Sequence, residues 1–330
     1  MSGNCCGGGI GLAALEVPVP GLFSFLLVLL GAVAQAAAPQ VADLGPAGAP
    51  LPPMGARTAV CALPMMEGAL PKRLALAEGA LHVDVPAVQT GLLIVHPKGA
   101  FVVDGGARMD LEPSLSAVPA VQGLMLKLSA RSFSRLRSLE AALQEAGAPA
   151  VKGALLTHAH YDHLGGLLEV ADLPIYTLPG ELEEAKRAAA GEATDILKAD
   201  AEALLVRGRA LEMNGPAYGP YPASHDLYGD GSVIVVPMEG HTPGSLGVFV
   251  HLPDGRRAFL VGDTVWVREG YELRIAKSSM ASQFDHDRQG TAMQIGRLAQ
   301  LYASEPGLVL VPAHDGRQWE ALFGGEACLR

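Results

Sequence analysis

Basic residues are scarce in this chain of 330 amino acids: 24 Lys and Arg against 34 Asp and Glu leave a formal net charge of −10. No run of Lys or Arg supplies the basic face that a nucleic acid or an anionic membrane surface would need, which speaks against both as partners. A small, uncharged or weakly polar substrate fits better. Aromatic residues are few as well, with two Trp, seven Tyr and eight Phe. A core must therefore be built mostly from Leu, Val and Ala, and the 49% apolar content is enough for a large one at this length. No internal repeat at a fixed solenoid period is found. No Ser-His-Asp pairing stands out, and no Gly-rich phosphate loop precedes a helix: G-G-G-I-G at positions 7 to 11 has no strand ahead of it.

The first 20 residues contain no Lys or Arg, yet Leu22 to Val33 is an apolar run of signal-peptide length, and Ala34-Gln35-Ala36 follows as a small-x-small cleavage site. Residues 1–36 are expected to act as a signal peptide, which makes the mature chain periplasmic or secreted. An uncleaved membrane anchor is the rival expectation, since the apolar character continues to Ala38. Cleavage would remove Cys5 and Cys6 and leave Cys61 and Cys328, which could form one disulfide in an oxidising compartment.

Residues 37–71, rich in Ala, Pro and Gly, read as an extended arm, and the folded body is expected over 72–330. Strands are expected at Ala80 to Val85, Gly91 to His96 and Ala100 to Asp104, then a helix over Ser132 to Ala146 and a strand over Ala150 to Thr157. Helical sequence fills Gly180 to Leu205, and a Gly/Pro/Tyr-rich loop from Met213 to Ser224 could border a pocket. Strands return at Val233 to Pro237, Leu246 to His251 and Arg257 to Val261, with hairpin chemistry at Gly229-Asp230-Gly231 and Pro253-Asp254-Gly255. A helix over Asp287 to Ala303 and a strand over Leu308 to Pro312 complete the series. Two similar rounds of strands and helices suggest two sheets packed face to face, with helices outside.

Chemistry concentrates in T-H-A-H-Y-D-H-L-G-G, residues 157–166, where a strand runs into a helix. Zinc takes neutral imidazole and carboxylate ligands, and a catalytic ion keeps one coordination position open. His158 and His160, two apart on an extended strand end, can share one ion. Asp162 and His163, where the chain turns helical, can face a second. Three further candidates each follow a strand: His241 in G-H-T-P-G-S, Asp263 in V-G-D-T and His314 in P-A-H-D. Loops from one sheet edge would gather all seven.

This combination and order of motifs resembles the metallo-β-lactamase superfamily over roughly residues 75–320. The resemblance implies an αββα sandwich with two Zn2+ ions. His158, His160 and His241 would hold the first ion, Asp162, His163 and His314 the second, and Asp263 would bridge both. Asp162 and Asp263 are the candidate catalytic carboxylates. Asp104, at the end of F-V-V-D-G-G, matches an aspartate that supports the metal loop. Two ions about 3.5 to 4 Å apart can share a hydroxide and polarise a carbonyl oxygen, so hydrolysis of an ester-like bond is the expected reaction.

Within that family, a bridging Asp263 disfavours the β-lactamase branch, which remains the alternative. The 78-position gap from His163 to His241 leaves no room for the nuclease branch's inserted domain. Only 16 residues follow His314, too few for the helical domain of glyoxalase II. A mononuclear iron persulfide dioxygenase is disfavoured by the intact second set Asp162, His163 and His314. The segment from Ser224 to Ser245 is similar to that of lactonases that open acyl-homoserine lactones, and a small uncharged lactone or ester becomes the expected substrate. Many of those lactonases carry a tyrosine three residues after the bridging aspartate; this chain has Trp266. Tyr271, Tyr218 or Tyr221 could stand in for it, and Met65, Met66, Tyr218 and Tyr221 are candidates to line the pocket.

Overall fold

Runs of β-branched and leucine residues in which successive side chains are all apolar require burial on both faces. In the computed structural model, such runs form the middle of a four-layer sandwich. The structure describes residues 38–45, 50–80, 82–110, 133–135, 137–192 and 194–330, and the expected signal segment lies outside them. Residues 38–330 form one unit. Among the described residues, no helix is long and apolar enough to cross a membrane.

The first sheet is begun by β1 (Ala59–Pro71), β2 (Asp84–Val95), β3 (Ala100–Val103), β4 (Phe133–Arg135), β5 (Val151–Leu155), β6 (Ile175–Thr177) and β7 (Gly208–Ala210). The second contains β8 (His225–Asp226), β9 (Val233–Pro237), β10 (Leu246–His251), β11 (Arg257–Leu260) and β12 (Leu308–Val311). A last strand, β13 (Cys328–Leu329), returns to the first sheet. The strand orders are β13-β1-β2-β3-β5-β6-β7, with β4 also on β1, and β12-β11-β10-β9-β8. Both expected hairpin turns join antiparallel neighbours, β8 to β9 and β10 to β11.

Period-two alternation assigns the layers. Val60, Leu92, Ile94, Val103 and Leu155 meet Val233, Val235, Val248 and Val250 between the sheets. The intervening Cys61, Leu63, Leu93, Val102 and Ala154 pack outward against α1 (Leu139–Glu145), α2 (Tyr161–Glu169), α3 (Pro179–Ala189) and α4 (Lys198–Arg207). On the far side, Ile234, Val236, Phe249 and Phe259 meet Ile295, Leu298 and Leu301 of α5 (Arg288–Ser304). Each fully buried Leu, Val or Phe contributes roughly 1.5–3 kcal/mol. The outcome is the expected αββα sandwich, with α6 (Gly316–Phe323) leading into β13.

Several local expectations are corrected. Residues 59–71, expected within the arm, are the strand β1, which pairs with β2, β4 and β13 in the first sheet. Pro64 hid it: the pairing with β2 shifts register between Pro64 and Met66, where a proline cannot extend the ladder. Met65 and Met66 are consequently buried in the core beneath α1 and α2 and do not lie in a loop. The strand expected at 91–96 lies almost wholly in β2, whereas of the strand expected at 80–85 only Asp84 and Val85 belong to it; β2 runs through Pro86, which pairs with Ala69. The helix expected over 132–146 shortens to α1, because Phe133–Arg135 pairs with β1. The helix expected over 180–205 is two helices, α3 and α4.

Cys61 and Cys328 lie opposite each other in the β1–β13 pair and form a disulfide. It closes a sequence separation of 267 residues. Loop entropy for so long a closure corresponds to roughly 5 kcal/mol of stabilisation.

Candidate metal centre

The chain leaves β5 extended, so His158 and His160 project to the same side, and His160 caps α2. The first turn of α2 then carries Asp162 and His163. The L-G-G that follows has a steric cause. A Cβ on Gly166 would lie 2.0 Å from the carbonyl oxygen of Gly105, and one on Gly165 would lie 2.5 Å from the Arg108 nitrogen. That approach brings Asp104 to the metal loop, where it accepts hydrogen bonds from the Thr157 backbone N–H (2.8 Å), Thr157 Oγ1 (2.7 Å) and His163 Nδ1 (2.8 Å). His241 follows β9, Asp263 follows β11 in a single 3-10 turn opened by Gly262 at φ +52°, and His314 follows β12.

All seven sequence-identified side chains converge, in two overlapping groups. His241 Nε2 lies 3.3 Å from His158 Nε2 and 3.1 Å from His160 Nδ1. In the other group, His163 Nε2 and His314 Nε2 lie 3.3 and 3.1 Å from Asp263 Oδ1, and His314 Nε2 is 3.5 Å from Asp162 Oδ2. The second oxygen of Asp263 faces the first group, 3.9 Å from His241 Nε2. Asp263 is thus shared. A cavity of about 10 Å³, room for about one water, adjoins Asp162, His163 and His314.

The donor set fits divalent cations. Asp104 accepts a hydrogen bond from the Nδ1–H of His163, and the Val88 carbonyl accepts one from that of His314 at 2.9 Å. The Nε2 lone pairs of both rings then point at a carboxylate oxygen, an arrangement that repels unless positive charge lies between. His163 Nε2 and Asp263 Oδ1 are both buried without a hydrogen-bond partner. Burial and then His163 push His158 well below the ordinary imidazole range, burial and then His241 do the same for His160, and burial and Lys277 lower His241. Those shifts favour the neutral imidazole, the form that binds a metal ion. For His163 and His314, burial opposes charge, but Asp263 together with Asp104 beside His163 and Asp162 beside His314 raises both, His163 strongly. Burial likewise opposes charge on Asp263, yet His314 and His163 hold it well below the usual carboxylate range.

Other contributors were not legible in the sequence. Glu181, in the first turn of α3, is fully buried and accepts from the Ala159 N–H (2.6 Å), Thr242 Oγ1 (2.6 Å) and the Gly244 N–H (3.1 Å). It ties the His158–His160 loop to the His241 loop, and burial raises its pKa. Asp285 accepts from His241 Nδ1 at 2.8 Å. Within E-L-E-E and S-Q-F-D these two acids look like ordinary surface residues, because their partners are distant in sequence.

The expected tyrosines are elsewhere. Tyr218 and Tyr221 pack on Phe249 in the core under α5, and the Tyr271 hydroxyl accepts from Gln318 Nε2 at 2.8 Å in the same layer. Aromatic bulk demands burial, and that core has space for it. Trp266 does reach the site. Its ring centre is 6.2 Å from that of His314 and 6.4 Å from that of Phe284, which is itself 6.4 Å from His160. Its Nε1 is buried without a hydrogen-bond partner.

Comparison with known proteins agrees with this fold. The N-acyl homoserine lactonase AttM of Rhizobium radiobacter is 23% identical over 240 residues, covering 69% of this chain and 81% of that protein. AttM of Azorhizobium caulinodans is 23% identical over 231 residues with the same coverage. Among solved structures, a quorum-quenching N-acyl homoserine lactone lactonase superposes with a TM-score of 0.58 at 17% identity, over 81% of this chain and 97% of that one. AidC, a dizinc quorum-quenching lactonase, gives 0.52 at 16% identity, over 83% and 92%. These structures share the fold. Residues 86–321 match the metallo-beta-lactamase superfamily, and the chain belongs to that family.

Proposed function

We propose that this chain is a hydrolase of lactones or similar uncharged esters that works with two divalent ions, zinc foremost. The observation that carries the reading is the buried Asp263 carboxylate, which turns one oxygen to His163 and His314 and the other toward His241. His158, His160 and His241 would hold one ion, Asp162, His163 and His314 the other, and Asp263 both. Bound there, the ions would supply an activated water and polarise the ester carbonyl.

The protein's own groups do the rest. Asp104 and the Val88 carbonyl fix the tautomers of His163 and His314. Asp162, with 16% of its side chain exposed against 5% for Asp263, is the carboxylate able to exchange a proton with water or with the leaving oxygen. Trp266 and Phe284 wall the site with apolar surface, and the free indole N–H offers one donor to a substrate oxygen. An acidic chain with such a wall attracts no anion. The AttM relatives are named for lactone hydrolysis, which supports the same substrate class.

The test is kcat/KM for nonanoic δ-lactone, an acyl-homoserine lactone and a cephalosporin in one zinc-containing buffer, with metal analysis of the protein. Lactone opening should exceed cephalosporin turnover, with about two ions per chain. Rapid cephalosporin hydrolysis without lactone opening would transfer the reading to β-lactamases, and a single bound iron would transfer it to the dioxygenases. Export belongs to the same proposal, supported by the apolar N-terminal run and the Cys61–Cys328 disulfide. Expression in a bacterial host should yield a mature chain beginning near Ala37. An intact N-terminus in the membrane fraction would favour the anchor.

A further inference from the structure

One buried ion pair lies directly behind the centre, and the proposed chemistry leaves it unused. Lys277 and Asp285 each expose only 2% of their side chains. Lys277 Nζ donates to Asp285 Oδ1 at 2.6 Å, and that same oxygen is 2.8 Å from His241 Nδ1. Lys277 Nζ is also 3.1 Å from His241 Nδ1. Two proton arrangements are conceivable. If the ammonium donated to Nδ1, the ring proton would move to Nε2 and point at His158 and His160, leaving no lone pair for an ion. If Nδ1–H donates to Asp285, the ammonium and the ring share one acceptor, which accounts for their close approach and frees Nε2.

The second arrangement also explains why a lysine is present. A lone buried carboxylate is costly, and the ammonium compensates it while leaving an oxygen for the histidine. Backbone contacts reinforce the geometry: the His286 N–H donates to the His241 carbonyl at 2.9 Å, and the Asp287 N–H to that of Gly240 at 2.8 Å. The loop that carries Asp285 is thereby clamped to the loop that carries His241. On its other side, the Lys277 ammonium lies 5.9 Å from the Trp266 ring centre, which fills the space around the lysine head.

We propose that Lys277 and Asp285 are positioning residues that hold His241 as the Nδ1–H tautomer, with Nε2 aimed between His158 and His160, and so set the affinity of that one metal subsite. The inference rests on the two-ion reading, and the experiment separates the two. Metal-stripped full-length protein is titrated with Zn2+ against a chromophoric chelator. The number of binding events in the unsubstituted chain judges the two-ion reading; the variants judge the ion pair, because any ion on His241 must feel its loss. His241→Ala and His314→Ala identify which event belongs to which subsite.

The decisive variant is Lys277→Met/Asp285→Leu, which replaces both charges with apolar groups of similar shape and leaves neither unpaired. It should weaken the His241-dependent event roughly 10–100-fold, the usual effect of removing a ligand's hydrogen-bond partner, and leave the His314-dependent event unchanged. Lys277→Met/Asp285→Asn, whose amide oxygen can still accept from Nδ1–H while no charge is left unpaired, should recover most of that loss. Unchanged affinities in the double variant, or equal weakening of both events, would overturn the proposal.

Discussion

The His158, His160 and His241 group is made of imidazoles alone, whereas the Asp162, His163 and His314 group contains a carboxylate and rests on another, Asp104. Burial drives the first three histidines neutral, and the carboxylates drive His163 and His314 the opposite way. Even the carboxylate behind the first group is balanced, since Lys277 neutralises Asp285. One half thus presents bare lone pairs, and the other presents negative charge that collects protons until a cation displaces them. The two halves are alike in geometry and opposite in proton chemistry.

Asp263 is what they share, and its removal should have the largest effect. Asp263→Ala takes a donor from both halves at once, so metal affinity and kcat/KM should fall by more than the roughly 10–100-fold expected for an outer partner. The fold should survive, because β11 keeps Ala258, Phe259 and Leu260 buried on both faces. Metal analysis, circular dichroism and lactone kinetics on one preparation check this. Normal metal content with full activity would show that the halves are independent.

The seven convergent side chains were legible because each lies in a short motif at a strand end or in the loop and first helical turn that follow one, and such segments on one sheet edge converge. The sandwich was legible for the same reason: alternation and turn chemistry are local signals. What stayed hidden was non-local. β1 was masked by Pro64, whose irregular pairing is visible only beside β2. Glu181 and Asp285 act on partners 63 and 44 residues away, and no pattern near either residue announces the partner. Tyr218, Tyr221 and Tyr271 misled because a tyrosine in a loop sequence reads equally as a pocket wall or as core.

pH should separate the halves. His163 and His314 have folded pKa values above the unfolded value of about 6.5, so their contribution to stability is complete below that pH and is lost as pH rises through the folded values. His158, His160 and His241 are depressed, and their contribution is complete above about 6.5 and lost as pH falls. Metal-stripped protein should therefore be most stable near neutrality, with an alkaline decline from the carboxylate-rich half and an acidic decline to which the imidazole half contributes. Bound zinc should abolish the alkaline decline, because the ion replaces the protons that Asp263 otherwise draws to its histidines. Thermal midpoints in chelator and in zinc, from about pH 5 to about pH 9, measure this across the imidazole range. An alkaline decline equally steep with and without zinc would remove the distinction between the halves.

The smallest effect concerns the wall that both halves touch. Trp266 stands edge-on to His314 of one half, with one face toward the lysine that backs the other. Its buried N–H has no partner, so a substrate oxygen that accepted it would gain a hydrogen bond worth about 0.5–1.5 kcal/mol, roughly 2- to 10-fold in kcat/KM. Trp266→Phe keeps most of the apolar area and should lose that factor alone. Trp266→Ala removes area as well and should lose more, while Trp266→Tyr, which restores a donor, should preserve or raise lactone turnover. Zinc affinities measured beside the kinetics decide what the wall serves. If kcat/KM falls along Tyr, Phe and Ala while both binding events hold, Trp266 acts on the substrate. If the His241-dependent event weakens instead, the indole is holding Lys277 in place, and the wall belongs to the imidazole half.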